Sequence, residues 1–147
     1  MSDGSEKNER FHTEAGYAEE MKKRGTLTPA AEDYLEMIYR IASDSGSAGH
    51  VRICDLASRL SVSPSSASRM AQSMAVWGYV DFKRYGYITL TERGCEMGKY
   101  LIRRHGTVLE FLVRLRGESG ALAEAERIEH YLSRETVEAM EKSLRSE

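Results

Sequence analysis

The chain has 147 residues, 41% of them hydrophobic and 30% charged, with a formal net charge of −2 at pH 7. It is long enough to bury one substantial core or two small ones, and no apolar run approaches the roughly 20 residues of a membrane span. The N-terminus lacks the charged-then-apolar pattern of a secretory signal, so the expected location is the cytoplasm; Cys54 and Cys95 are too few for a disulfide scaffold or a thiolate zinc site and read as small buried hydrophobes.

The charge is unevenly spread. From Arg52 to Arg104 the chain carries nine basic residues against four acidic ones, a balance of +5, while the remainder carries −7. A basic middle in an acidic chain points to a polyanionic partner for the middle alone.

Residues 1–26 are rich in Glu, Lys, Ser and Gly, with Phe11 and Tyr17 as isolated anchors, and read as a tail in which His12 is solvated. Thr28 and Pro29 then form a helix start, with Thr28 as N-cap and proline at the first helical position. Tyr34, Leu35, Ile38, Tyr39 and Ile41 recur at helical spacing to about Ala42. On the opposite face lie Asp33, Glu36 and Arg40. Glu36 and Arg40 are spaced for an ordinary surface ion pair, whereas Asp33 and Glu36 together form a carboxylate pair one turn apart. A Ser/Gly loop over 43–49 ends this helix.

Ile53 to Leu60 reads as a short helix with Ile53, Leu56, Ala57 and Leu60 inward. Ser61 to Ser63 make a tight turn, and Ser63 caps a second helix that starts at Pro64, runs to about Trp77 and buries Ala67, Met70, Ala71 and Met74. Two short helices so joined form a helix-turn-helix. The second presents Ser65, Ser66, Ser68, Arg69 and Gln72 outward, small or hydrogen-bonding side chains suited to base edges and phosphates in a major groove. Val80 to Lys83 and Tyr87 to Leu90 alternate as strands around Arg84, Tyr85 and Gly86, a hairpin in the position of a wing, with Lys83, Arg84 and Tyr85 at its tip. The basic excess falls on this segment, so DNA binding outweighs a hairpin without a nucleic-acid role.

Thr91 caps a long helix expected to reach about Arg116. Its stripe of Leu101, Ile102, Val108, Leu109, Leu112 and Leu115 exceeds what so short a chain covers from within and points to a partner subunit. Gly106 in its middle implies close backbone packing or a bend; His105 beside it reads by default as an ordinary core or surface histidine. Two further helices are expected, at about Ala121 to Leu132 and about Arg134 to Leu144, the latter capped by Ser133. On the first of these, Glu126, Glu129 and His130 fall at spacings of three and four residues and converge on one point if the segment is helical. Two carboxylates and an imidazole offer only oxygen and nitrogen donors, a set suited to a divalent first-row ion. An enzyme built on these residues is disfavoured by residue type. The inverted zinc-protease pattern needs histidine where Glu126 stands, and a helical di-iron site needs glutamate where Arg127 stands.

The order of these motifs resembles the metal-dependent repressors related to the diphtheria toxin repressor, and specifically their manganese transport regulator branch. The resemblance covers about Thr28 to Leu144. It rests on the segment Glu32 to Tyr39, on Val62 to Met70, on His105, and on Glu126-Arg127-Ile128-Glu129-His130. It implies a mainly α-helical protein with an N-terminal winged helix-turn-helix domain (27–95) and an all-helical metal-binding and dimerisation domain (96–147). The implied function is a repressor of metal-uptake genes. Its homodimer would bind a double-stranded operator when metal locks it, with no membrane and no small-molecule substrate involved.

Carried over residue by residue, the implied ligands are Asp33, Glu36, His105, Glu126, Glu129 and His130, for one or two ions per subunit, with Glu126 as the bridging candidate. Iron-responsive relatives place methionine where Asp33 stands and cysteine where Glu126 stands. Carboxylates at both places favour Mn2+, with Fe2+ as the alternative. Many members carry a second histidine where this chain has Tyr131, which leaves any auxiliary ligand role there in question. An end near residue 147 agrees with the manganese branch, which lacks the extra C-terminal domain of the iron-responsive one. The alternatives are an iron-responsive regulator of the same family, or a winged-helix regulator whose carboxylates are only solvated helix faces.

Overall fold

A computed structural model of the chain describes residues 27–44, 46, 48–83 and 86–146. The expectations for residues 1–26, and for Arg84 and Tyr85 at the hairpin tip, lie outside these residues. Six helices, one 3-10 turn and a two-stranded sheet follow one another among them. Helix α1 (Pro29–Ser43) begins as its sequence dictates: the Thr28 hydroxyl accepts from the Ala31 amide and proline fills the first turn. Its apolar face, with Leu35 and Ile38 fully buried, packs on α2 (Ile53–Leu60), α3 (Pro64–Val76) and α4 (Glu92–Arg116). Each such side chain contributes on the order of 1.5–3 kcal/mol. Helix α1 therefore belongs to the N-terminal unit of α1–α3 and the hairpin, here called the head, and also touches the long helix that leads away from it.

Ser61 adopts the left-handed conformation (φ 55°), which turns the chain sharply between α2 and α3. Strands β1 (Val80–Phe82) and β2 (Ile88–Leu90) pair antiparallel with Val80 opposite Leu90, Asp81 opposite Thr89 and Phe82 opposite Ile88, each strand one residue shorter than its alternation implies. Val51 adds a bridge to Ile88 on the free side, which ties the segment before α2 to the wing. The head core runs from Leu27 to Leu101. A second cluster, of Val108, Leu112, Ala121 and Ala125, sits where α4 packs on α5 (Ala121–Ile128), and α6 (Arg134–Arg145) also lies on α4.

Three expectations are corrected. Gly106 faces open space, with no heavy atom beyond its chain neighbours and its own helix backbone within 4 Å of the point a Cβ would occupy; the close approaches along α4 are at Gly94, beneath the Tyr79 carbonyl, and at Gly98, where a Cβ would lie 2.7 Å from the Tyr39 side chain. Cys54 is exposed at the start of α2 and Cys95 is half-buried, because both fall off the apolar stripes of their helices. Finally, the helix expected to reach Leu132 ends at Ile128. Glu129–Tyr131 tighten into a 3-10 turn, a common way to close a helix, before Leu132 extends and Ser133 caps α6.

Candidate functional site

Three elements bring acidic and imidazole side chains together: α1, α4 near His105, and the 3-10 turn. Asp33, Glu129 and His130 each offer a donor atom within 4.8 Å of the others, and so do Glu36, His105 and Glu129. Glu129 is common to both clusters. Its side chain is 5% exposed, and His105 Nδ1 lies 2.8 Å from its Oε2. His130 Nε2 faces Asp33 Oδ1 at 3.3 Å, and its Nδ1 lies 2.9 Å from Glu32 Oε1. Glu36 meets Arg40 at 3.5 Å along α1, so the surface pair and the cluster coexist.

The electrostatics follow from this crowding. Burial pushes the Glu36 carboxyl up, Arg40 opposes, and the nearby charge of Glu129 adds to the rise. For His130, burial works against the charged ring, but the hydrogen bonds and charges of Asp33 and Glu32 outweigh it and raise its pKa from 6.5 to about 9. The proton favoured on His130 offsets part of the repulsion among the carboxylates around it. The donor set fits a divalent cation: it is all oxygen and nitrogen, and an ion bonded at about 2.0–2.2 Å requires donors within roughly 4 Å of one another, close to the separations found.

Five of the six residues singled out from sequence are thus gathered. The sixth, Glu126, is exposed on the last turns of α5 and joins neither cluster, because the change to a 3-10 turn after Ile128 breaks the helical phase relating it to Glu129 and His130.

Sequence reasoning missed Glu32 and Arg104. Arg104 Nη1 and Nη2 donate to Glu32 Oε2 and Oε1, both at 3.1 Å, with the two side chains only 4% and 8% exposed. This forked pair joins α1 to α4 across 72 residues of sequence. Breaking one partner of such a pair costs on the order of 3–5 kcal/mol. The only signal was the adjacency of Glu32 to Asp33 and of Arg104 to His105, which does not distinguish a buried pair from solvated neighbours.

On the head, Ser65, Arg69 and Gln72 of α3 are exposed and Ser66 and Ser68 half-buried. The Ser63 hydroxyl accepts from the Ser66 amide at 3.1 Å and lies 2.9 Å from the Ser66 hydroxyl, so these two serines are engaged in capping. Lys83 is exposed at the end of β1. Of the nine basic residues Arg104 is buried in its pair with Glu32, and Arg93, though exposed, donates to the Trp77 carbonyl at 2.7 Å and lies over the Tyr79 ring.

Comparison with known proteins covers both halves. Residues 26–88 match the family model "Iron dependent repressor, N-terminal DNA binding domain", and residues 91–146 match "Iron dependent repressor, metal binding and dimerisation domain". The HTH-type transcriptional regulator MntR of Lysinibacillus sphaericus is 38% identical over 113 residues, which are 76% of this chain and 78% of the relative. Among solved structures, the manganese regulator SloR superposes with a TM-score of 0.64 at 30% identity, covering 81% of this chain and 55% of that one. The metal-dependent transcriptional regulator MtsR gives 0.68 at 27%, covering 80% and 54%. The chain therefore spans little more than half the length of these two structures. Among the described residues, no helix is long and apolar enough to cross a membrane.

Proposed function

The chain belongs to the iron-dependent repressor family of DNA-binding transcriptional regulators, which are not enzymes, and from that premise we propose that it is a manganese-responsive repressor acting as a homodimer. The observation that carries the reading is Glu129, a buried carboxylate common to both donor clusters. Asp33, Glu129 and His130 would hold one ion, and Glu36, His105 and Glu129 a second. Glu126, which joins neither cluster in the described geometry, enters the proposed set only through the family resemblance. Manganese is favoured over softer ions because all six donors are oxygen or nitrogen, and one relative is itself a manganese regulator. The bound cation supplies the positive charge that offsets repulsion among the carboxylates.

The chain's own residues explain how occupancy reaches DNA. Asp33 and Glu36 ride on α1, which is packed against both helices of the helix-turn-helix. Glu129 and His130 belong to the C-terminal half, where Leu115 and Leu122 stay 70% and 50% exposed and fit a partner subunit. Residues that share a ligand set across these elements fix the head against the dimer core, and with it the spacing of two recognition helices. Ser65, Ser66, Ser68, Arg69 and Gln72, with Ser63 as the cap and Lys83 at the end of β1, form the proposed DNA surface, to which the sequence adds Arg84 and Tyr85.

The test is a Mn2+ titration of the purified chain, with free ion counted by electron paramagnetic resonance. Wild type should saturate at one or two ions per subunit and Glu129→Gln should lose all of them, since it removes a shared ligand. A Glu129→Gln variant with wild-type stoichiometry and affinity would contradict the reading.

A further inference from the structure

Glu32 lies next to a proposed ligand in sequence, yet it belongs to neither donor cluster. Both of its carboxylate oxygens are taken by the Arg104 guanidinium at 3.1 Å, and Oε1 also lies 2.9 Å from His130 Nδ1. That nitrogen is in turn 3.4 Å from Arg104 Nη2. A carboxylate can only accept and a guanidinium can only donate, so the shorter contact decides the proton: Nδ1 carries hydrogen and donates to Glu32. Nε2 then points away from the pair, toward Asp33 Oδ1 at 3.3 Å.

Resting on the metal-centre reading above, we propose that Glu32 is a positioning residue for that centre, holding His130 in the orientation and Nδ1–H tautomer that present Nε2 to the ion, with Arg104 locking Glu32 in that role. The division of labour between adjacent acids follows. Asp33, with a side chain 56% exposed, is free to ligate, while Glu32, buried and forked to an arginine, cannot swing into the site. Arginine suits the task because it does not deprotonate and its planar fork matches both oxygens. Residues that orient a ligating histidine through its second nitrogen typically change metal affinity by about 10–100-fold when removed.

The test replaces the pair by apolar side chains of similar length, Glu32→Met with Arg104→Met, since a buried ion pair exchanged as a unit leaves folding near neutral. Two quantities are read on the full chain: Mn2+ affinity, and the state of the His130 imidazole nitrogens by NMR with Cd2+ as a diamagnetic probe. In wild type, Nδ1 should be protonated and Nε2 should show coupling to cadmium. The double variant should unfold cooperatively, bind Mn2+ about 10–100-fold more weakly, and show mixed His130 tautomers or loss of the Nε2 coupling. Unchanged affinity with an unchanged nitrogen pattern overturns the proposal. A fall in affinity without any change at the His130 nitrogens also overturns it, because that result belongs to a merely structural pair. Should the double variant lose its cooperative transition, Glu32→Gln is read by the same two criteria. Wild-type protein that takes up neither ion would instead overturn the metal-centre reading on which the proposal rests.

Discussion

His130 is the side chain on which most constraints converge: a 3-10 turn places it, Glu32 and Asp33 hold its two nitrogens, and Arg104 stands behind. Its pKa of about 9 in the metal-free chain gives a pH prediction with a definite sign. The folded protein keeps a proton that the unfolded chain releases above about 6.5, so this stabilisation is complete below that pH and is lost as pH rises toward 9. Urea denaturation with chelator present should show wild-type stability declining across that window, and His130→Gln should lack this component. A wild-type profile that is flat from 6.5 to 9 would contradict the hydrogen-bond assignment. Single residues were legible in sequence where spacing is local, as for Asp33 with Glu36. The pairing of Glu32 with Arg104 was not, since 72 residues separate them and each sits among charged neighbours of ordinary appearance.

At the scale of elements, helix starts were readable because their chemistry is local. Thr28, Ser63, Thr91 and Ser133 each accept from an amide three residues on, and the first two precede proline. The end of α5 was not readable. Glu126 to His130 keeps helical spacing in sequence, and what tightens the backbone after Ile128 is tertiary: Glu129 turned onto His105, and the approach to the Ser133 cap. The glycines of α4 show the same limit, because nothing local marks Gly98 rather than Gly106 as the close contact. Gly98→Ala should destabilise by about 1–3 kcal/mol, as the added methyl meets the root of the Tyr39 side chain on the α1–α4 seam. Gly106→Ala, with open space around it, should gain about 0.5–1 kcal/mol of helix propensity. Denaturant midpoints of the two variants, taken with chelator, give the comparison; equal shifts of the same sign would contradict the packing described.

At the scale of the whole molecule, the proposed function rests on one seam. Helix α1 joins the head to α4 through Tyr39 on Gly98 and Glu32 on Arg104, neither of which needs a metal. The two donor clusters lie along the same seam, so ion binding adds to a contact already begun rather than creating one. Coupling between two such sites is typically about 1–3 kcal/mol, or roughly 5–150-fold in affinity. The direct measurement is fluorescence anisotropy of the full chain with a pseudo-palindromic duplex selected from a random pool in the presence of Mn2+. DNA affinity should rise by roughly 5–150-fold from chelator to saturating Mn2+, and Glu129→Gln should abolish the rise. Equal affinity of the wild-type chain for that duplex with Mn2+ and with chelator would contradict the account.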